Sequence, residues 1–243
     1  MCGRYASFRE AQDLADEFAV ARIADDVRLL PPSWNVAPTD TVRMVVERPS
    51  RLEDGSAGEI ERTLRGARWG LVPSWAKDPK IGSTMINARA ETLATKPAFR
   101  RAFATRRALL PADGYYEWQP PAPGSPTKTK QPIYIHAPDD VPLAMAGLYE
   151  FWADPTKEPD DPTRWLVTAT VVTTTAVDEM GQVHDRQPVI LLPDRWDAWL
   201  DPAVDAAGAA SLLAAPAPRL ALTPVSTAVN KVSNNSPTLI TPL

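Results

Sequence analysis

The sequence predicts an α+β fold in a single domain spanning 1–243, with a mainly antiparallel, partly barrel-like β core and a few flanking helices. Short apolar and β-branched segments are interspersed with short amphipathic ones, without the regular strand–helix alternation of a parallel sheet. The 26 prolines interrupt almost every segment, which favours short strands and ordered loops over long helices. The presumed loops each join two strand-like segments, as hairpin connections do.

The individual elements follow from local patterns. Ser7 and Glu10 have the spacing of a capping box that opens a helix of about ten residues, with Leu14 and Phe18 on its buried stripe. Alternating or β-branched apolar runs predict strands at 41–47, 131–137, 141–152 and 164–176, the last two central in the sheet. Amphipathic spacing predicts short helices at 97–105, 194–200 and 203–214. Polar and proline-rich stretches predict hairpin loops at 48–59, 119–130 and 153–163.

Composition excludes several classes of protein. The chain is 44% hydrophobic and 23% charged, as ordinary soluble proteins are. Its one cysteine excludes an internal disulfide framework and a cysteine-based zinc site, and it suits the reducing cytoplasm. No uncharged run reaches the roughly 18 residues of a membrane helix. We therefore expect a soluble cytoplasmic protein with no membrane, metal or cofactor requirement.

Charge is unevenly distributed along the chain. The net charge is −4, but residues 65–107 contain ten Lys and Arg against two Asp and Glu, a local charge of +8. Such a segment attracts phosphates when its cations share one surface. The alternative is a set of solvated helix faces, and both interpretations stay open for Arg100, Arg101, Arg106 and Arg107.

The single cysteine is the second residue, in the opening stretch MCGRYAS. One interpretation is an incidental thiol at a poorly ordered terminus. The other is that Met1 is removed, so that Cys2 becomes an N-terminal residue with an amine and a thiol on adjacent carbons. Position alone does not choose between them.

Three polar residues stand in segments that otherwise look buried or tightly turned: Asn87, Glu117 and His184. Glu117 lies between Tyr116 and Trp118, a setting that raises the pKa of a carboxyl group by desolvation. Each residue also has a plain structural interpretation, in which Glu117 pairs with an arginine and His184 caps a turn.

Two tryptophans lie within the basic segment. Trp69 precedes a glycine in a strand-like run and is predicted to be core. Trp75 is followed by Ala-Lys-Asp and is the better candidate for an exposed platform on which an unstacked base rests, with Lys77 near a phosphate.

The chain contains a set of motifs that resemble those of one family, in the same order and over nearly the whole chain. They are MCGRY at the start, WNVAPT (34–39), WGLVPSWA (69–76), INARAET (86–92), LLPADGYYEW (109–118), AGLYE (146–150), VHDRQPVIL (183–191) and AVNKVSNNSPTLITPL (228–243). The set is similar to that of the SRAP family, the SOS response-associated peptidases, which are abasic-site processing proteins. Gln187 and Ala108 depart from the pattern that we expect there, which puts details of the pocket in doubt.

The resemblance implies that Met1 is removed and that Cys2 crosslinks the protein to abasic sites in single-stranded DNA, as a monomer that joins the nucleoid at damaged DNA. It implies a catalytic set of Cys2, Asn87, Glu117 and His184. It implies DNA-contacting or site-organising roles for Arg4, Asn35, Pro38, Trp75, Lys77, Arg89 and Arg186.

The chemistry explains why the terminal position matters. An α-amine has a pKa of about 7.7–8.0 against about 10.4 for lysine, so more of it is nucleophilic at neutral pH. The amine can condense with the ring-opened sugar aldehyde to an imine, and the neighbouring thiol can close a thiazolidine. A persistent imine would permit weak lyase activity. The alternatives are an N-terminal-nucleophile amidohydrolase, in which Cys2 attacks an amide, and a non-covalent single-strand binder.

Overall fold

A computed structural model describes residues 2–51, 54–126, 128–177, 180–214 and 216–243. Within these ranges the strands are β1 (Tyr5–Ser7), β2 (Arg22–Ile23), β3 (Ser33–Val36), β4 (Thr41–Arg51), β5 (Ala57–Trp69), β6 (Asn87–Arg89), β7 (Arg107–Ala112), β8 (Gly114–Gln119), β9 (Gln131–His136), β10 (Leu143–Ala153), β11 (Trp165–Thr175), β12 (Arg186–Pro188) and β13 (Ala221–Pro224). The α-helices are α1 (Ala11–Glu17), α2 (Asp25–Arg28), α3 (Arg100–Thr105), α4 (Met180–Val183), α5 (Trp196–Leu200) and α6 (Ala206–Leu213). Single 3₁₀ turns lie at Pro79–Thr84, Ala90–Thr92, Pro162–Arg164, Pro193–Arg195, Thr227–Asn230 and Pro237–Ile240.

The strands form two sheets, and the larger one closes into a ring. Its path runs β12-β11-β10-β7-β4-β5-β2, and β5 also pairs with β11, so that β5, β4, β7, β10 and β11 make a closed barrel. Each junction in this ring is antiparallel except the closing one, where Arg68 and Trp69 run parallel to Thr168 and Ala169. The smaller sheet has the order β13-β9-β8-β1-β3 and is antiparallel throughout. The predicted fold class, including its barrel-like core, is confirmed.

The alternation of side chains along the strands separates two hydrophobic cores. On β4, Met44 and Val46 point into the barrel, where they meet Trp69 and one face of the smaller sheet. Val45 points outward, where the helices cover the barrel with aromatic side chains. These covering residues are Phe18, Phe99, Phe103, Trp196 and Trp199.

The smaller sheet is also buried on both faces. Tyr5 and Tyr115 face the barrel core, whereas Ala6 and Tyr116 face a third cluster that the C-terminal segment completes. Because successive residues of a strand point to opposite faces, each residue of GYYEW is assigned a face by its neighbours. This alternation decides where the polar residues of β8 point.

Most predicted elements are found, with shifted ends. The hairpins β8–β9 and β10–β11 are present, and β10 and β11 are central strands. The predicted loop at 48–59 is largely strand, because β4 and β5 stay paired from Thr41 opposite Arg68 out to Arg51 opposite Ala57. Leu52 and Glu53, which were predicted as part of that loop, lie outside the described residues.

The predicted capping box at Ser7 and Glu10 is wrong. Ser7 belongs to β1, the helix begins at Ala11, and Glu10 makes no side-chain capping bond. The backbone N–H of Phe8 donates to Asp113 Oδ2 over 2.7 Å, so a distant carboxylate holds the chain just before the helix. The helix that follows is seven residues long.

Within the described residues, no helix is long and apolar enough to cross a membrane. The same ranges hold no cluster of three or more His, Cys, Asp or Glu side chains that is arranged to hold a metal ion.

Candidate active site

Cys2 is fully buried between the two sheets, although it is the second residue of the chain. Asn87 Nδ2 donates a 2.8 Å hydrogen bond to the carbonyl oxygen of Cys2, which ties the terminus to the larger sheet. A terminus that is fastened in this way contrasts with the usual frayed chain end. The interpretation of Cys2 as an incidental thiol required a poorly ordered end, and the buried, hydrogen-bonded Cys2 does not meet that condition.

Asn87 is placed by strand pairing. It is the first residue of β6, which runs parallel to β11 with Asn87 opposite Val171. Its Oδ1 is buried and has no hydrogen-bond partner among the described residues. A buried amide oxygen without a hydrogen-bond partner raises the free energy of the folded state, so this acceptor is available to a group that enters the site.

Glu117 points toward the same interior as a consequence of alternation along β8. Tyr115 faces the barrel core, Tyr116 faces away, and Glu117, opposite Ile133, faces the core again. The side chain is buried, and this burial raises its pKa, an effect that the charge of His184 partly offsets. The predicted desolvated carboxyl group is therefore present.

His184 follows α4 and precedes β12, and its ring is held by the turn between them. Its Nδ1 lies 3.0 Å from the backbone nitrogen of Arg186 and 2.7 Å from Oδ1 of Asp185. When neutral with Nδ1 as acceptor of the Arg186 N–H, the imidazole carries its proton on Nε2; when doubly protonated, Nδ1 donates to Asp185. Since Asp185 is largely exposed, we favour the backbone contact as the one that orients the ring.

The thiol lies in a strongly apolar and anionic setting. Burial, and then the charge of Glu117, raise the pKa of the Cys2 thiol, so it is a protonated thiol at neutral pH. Two tyrosines share this pocket and were not predicted from the sequence: burial, followed by the proximity of Cys2, raises the pKa of both Tyr5 and Tyr115. The Tyr5 hydroxyl is buried with no hydrogen-bond partner in the described chain. Alternation in GRYAS and GYYEW is the signal that would have found them.

Arg186 and Arg89 flank this pocket on the larger sheet. Arg186 makes a two-pronged ion pair with Glu91, with N–O distances of 2.8 and 3.0 Å, and donates to the Thr173 carbonyl. Arg89 is exposed on β6, opposite Thr173. Arg186 is thus built into the structure, whereas Arg89 presents its charge to solvent.

Arg4 and Asn35 lie on the other face of the smaller sheet. Arg4 Nη1 donates to Asn35 Oδ1 (2.7 Å) and to the Val229 carbonyl (3.0 Å), and its guanidinium lies 5.8 Å from the ring centroid of Trp118. The Asn35 amide is buried and donates to the carbonyls of the C-terminal segment, Val229, Lys231 and Asn234. These two residues therefore connect the smaller sheet to the C-terminal segment. Pro38 is half-buried in the turn between β3 and β4.

Replacing Asn35 with Ala should loosen the C-terminal segment. The substitution removes the donor to three carbonyls and leaves Arg4 without its acceptor, so we expect the free energy of unfolding to fall by about 2–3 kcal/mol. Urea unfolding measures this change, and Gln182→Ala, at an exposed position, is the control. Equal stability of the two variants would contradict the assignment.

Trp75 and Lys77 lie together on an exposed loop after β5. Trp75 is 59% exposed whereas Trp69 is fully buried, as predicted for both. The loop is anchored because Trp152 Nε1 donates to the Ala76 carbonyl over 2.7 Å. At its start Gly70 has φ +120° and lies so close to Gly82 that a side chain would collide. The loop that carries Trp75 is therefore anchored to the rest of the fold.

The basic segment does not form a single surface. Arg107 is buried and donates to five backbone carbonyls, including those of Trp199 and Asp201, and Arg106 pairs with Glu150 over 2.6 Å. Arg100 and Arg101 are exposed on α3. The interpretation of the segment as a continuous phosphate-attracting field is wrong for Arg106 and Arg107, which the fold uses internally.

Comparisons with known proteins agree on one family. A family model described as SOS response associated peptidase (SRAP) matches residues 1–232. Abasic site processing protein YoqW of Bacillus subtilis (strain 168) is 38% identical over 242 residues, which is 99% of this chain and 99% of the relative. Abasic site processing protein YedK of Escherichia coli (strain K12) is 30% identical over 253 residues, with both chains covered completely.

The fold also has solved counterparts. An X-ray crystal structure of a protein from Bacteroides thetaiotaomicron superposes with a TM-score of 0.79 at 23% identity and covers 100% of both chains. At this identity the likeness concerns the fold alone.

Proposed function

The chain belongs to the SOS response associated peptidase (SRAP) family, and from this premise we propose that it processes abasic sites by capturing them covalently through Cys2 in single-stranded DNA. The observation that carries the proposal is the burial of Cys2 beside Glu117, with the Cys2 carbonyl fastened by Asn87. Removal of Met1 turns the Cys2 nitrogen from an amide into an amine. The result is a preorganised aminothiol at the junction of the two sheets.

The reaction begins with a proton transfer and an addition. The Glu117 carboxylate takes a proton from the Cys2 ammonium, and burial favours the neutral pair over the two charges. The free amine adds to the aldehyde carbon of the ring-opened sugar and gives a carbinolamine. The buried Oδ1 of Asn87 is suited to accept an N–H of this intermediate.

Two further proton transfers complete the ring. The Glu117 acid protonates the carbinolamine hydroxyl, which leaves as water and gives the iminium ion. The Cys2 sulfur then adds to the iminium carbon while its proton passes to Glu117, which gives the neutral thiazolidine. His184, with a proton on Nε2, donates to the sugar oxygen and so assists ring opening. The high pKa of the thiol is compatible with this order, because the carboxylate formed in the preceding step is the base.

The DNA strand is proposed to run across the exposed groups near the pocket. Arg89 and Lys77 meet phosphates, Trp75 stacks on a base, and Arg186 and Arg4 hold the walls of the site. Binding of this kind tolerates any sequence and weakens as salt rises.

Replacing Trp75 with Ala should weaken non-covalent binding of single-stranded DNA by about 5-fold to 150-fold, because one base–aromatic stack contributes about 1–3 kcal/mol. Fluorescence anisotropy with an oligonucleotide that lacks an abasic site measures the affinity. Trp165→Ala is the matched control, since Trp165 is also 59% exposed but lies outside the basic segment. Equal losses in the two variants would contradict a specific role for Trp75.

Met1 removal and strand cleavage are secondary parts of the proposal. The Met1–Cys2 bond is cleaved either by an aminopeptidase or by the site itself, in which Cys2 and Glu117 are suitably adjacent. An imine that persists instead of cyclising permits β-elimination of the 3′-phosphate, which is a weak lyase activity.

Two other functions remain as alternatives; a denaturing gel separates both from capture, and amide turnover separates them from each other. An N-terminal-nucleophile amidohydrolase would turn over a small amide with an acyl-enzyme burst. A plain single-strand binder would give no covalent product. We mix the protein with single-stranded DNA that carries one abasic site and separate the mixture on a denaturing gel. A shifted band supports capture.

A further inference from the structure

A cluster of arginines lies at one end of the barrel, away from Cys2. Strand register brings it together: Thr63 of β5 is paired with Val46 of β4 on one side and with Arg22 of β2 on the other. Paired residues on neighbouring strands share a face, and so do residues two apart on one strand. Arg48 is two residues from Val46 and Arg65 is two residues from Thr63, so both lie on this same face. Because β4 and β5 are antiparallel, the two arginines lie on opposite sides of the Val46–Thr63 pair.

The cluster contains three arginines, and within the described chain only Arg22 has an ion-pair partner, although the charge of Asp26 also acts on Arg65. Arg22 pairs with Glu61 over 2.8 Å, but Arg48 and Arg65 form no ion pair with any residue that the structure describes. Arg65 is half-buried, and its Nε is buried without a hydrogen-bond partner in the described chain. Burial, followed by the charge of Arg48, lowers the pKa of Arg65. Like charges held together in a partly buried place are destabilising unless an anion joins them.

An aromatic ring positions two of these guanidinium groups. Arg48 lies 4.7 Å and Arg65 5.9 Å from the ring centroid of Phe151 on β10. Tyr149 supports that ring edge-on, with 5.7 Å between the centroids. Guanidiniums stacked on an aromatic face lose little further freedom when they bind an oxyanion.

The guanidiniums border a cavity of about 180 Å³. Its wall is formed by Arg22, Val46, Arg48, Pro49, Ser50, Thr63 and Arg65. A water molecule takes about 30 Å³ of liquid volume, so the cavity accommodates one phosphate group with some of its hydration. The hydroxyl-bearing residues Ser50 and Thr63 supply donors that suit the remaining phosphate oxygens.

We propose that this cavity is a second anion site, which binds a phosphate group through Arg48 and Arg65 with Arg22 at its rim. None of the residues that line it belongs to the pocket around Cys2. Arg65 precedes Trp69 by four residues on β5, about 13 Å along the strand, and it is Trp69 whose ring contacts Tyr5 near Cys2. The site is therefore independent of the capture chemistry. The phosphate group that binds there belongs either to a small molecule, such as free phosphate or a nucleotide, or to the end of a DNA strand.

The test is binding of inorganic phosphate to the full chain by isothermal titration calorimetry, with chloride buffer at matched ionic strength as reference. Replacing both residues, as Arg48→Gln with Arg65→Gln, should weaken phosphate binding about tenfold or more, because two charge-assisted contacts are lost. Arg100→Gln with Arg101→Gln changes the net charge equally at exposed positions of α3 and should leave binding unchanged. No phosphate binding by the wild type, or equal binding by both double variants, would overturn the proposal.

Thermal unfolding gives an independent readout. In chloride, the Arg48→Gln variant should unfold at the same temperature as the wild type or a higher one, since a like charge beside Arg65 is removed; phosphate should raise the midpoint of the wild type more. A lower unfolding midpoint of Arg48→Gln in chloride, together with a phosphate-induced increase as large as that of the wild type, would overturn the proposal. If the double variant does not fold, Arg48→Gln takes its place in the calorimetry.

Oligonucleotides with a 5′-phosphate and with a 5′-hydroxyl then distinguish the source of the phosphate. Tighter binding of the 5′-phosphorylated oligonucleotide assigns a strand end, and equal binding assigns free phosphate. Crosslinking through Cys2 should be unchanged in both variants.

Discussion

Replacing Cys2 with Ala should abolish the covalent band that we expect wild-type protein to give with single-stranded DNA bearing one abasic site. Alanine at position 2 still offers an α-amine, but without a sulfur the imine cannot close to a thiazolidine, and it hydrolyses during denaturation. We expect a loss of two or more orders of magnitude in stable product, on the scale that removal of a covalent nucleophile produces. A denaturing gel measures the product, and anisotropy with an intact oligonucleotide checks that non-covalent binding persists.

The Cys2→Ser variant is the matched control for this result. Its amine forms the imine, and its hydroxyl is a much poorer nucleophile than a thiol at neutral pH. Borohydride should therefore trap a covalent band with Cys2→Ser that is weak without the reductant. A stable band from Cys2→Ala without borohydride, or Met1 still attached in the crosslinked species by mass spectrometry, would contradict capture by an N-terminal aminothiol.

Local patterns predicted β4, β9, β10 and β11, because the side-chain period of a strand is visible in sequence, but they did not predict β5, β7 or β8. The run at 164–176 is continuous and β-branched, and it became β11, the strand that pairs with four others. The end of helix α1 was not predictable in this way. The Phe8 N–H before the helix donates to Asp113, about a hundred residues away, and a local pattern contains no information on such a contact.

Sequence motifs predicted which residues belong to the candidate site, but they did not predict how these residues are arranged in space. Burial raises the pKa of Glu117 as predicted from its aromatic neighbours, because those neighbours lie next to it in sequence. By contrast, no local pattern indicated that Arg4 and Asn35 face the C-terminal segment. That arrangement depends on contacts such as Asn35 with Asn234, which bring together opposite ends of the chain.

Charge counts were the least informative part of the sequence. Arg107 was counted among the cations of a basic segment, yet it is buried and holds the ends of α3 and α5 through their carbonyls. Conversely, Arg48 and Arg65 meet over Phe151 only because three strands align. Net charge reports how many cations exist and not where the fold places them.

Burial of Glu117 also makes a prediction for stability. Its folded pKa is raised above the ordinary value of 4.5, so the folded state binds this proton more tightly than the unfolded state. The corresponding stabilisation is complete below the unfolded pKa and is lost as pH rises through the raised folded pKa. Glu117→Gln keeps the neutral form at every pH, so the variant should gain stability relative to wild type as pH increases over this interval.

The same substitution should slow the capture of abasic sites by about 10²-fold to 10⁴-fold while DNA binding is preserved, because an amide cannot transfer the proton that releases water from the carbinolamine. Quenched time courses on denaturing gels give the rate. Glu150→Gln is the matched control, since Glu150 is also buried but pairs with Arg106 on β10. In wild type the rate should fall once the pH is high enough to remove the proton that Glu117 and the Cys2 amine share, since no acid then protonates the carbinolamine hydroxyl, and this limb should be absent from Glu117→Gln. Equal rates for the two variants, or a falling limb that survives in Glu117→Gln, would remove Glu117 from the mechanism and leave His184 as the group that moves the proton.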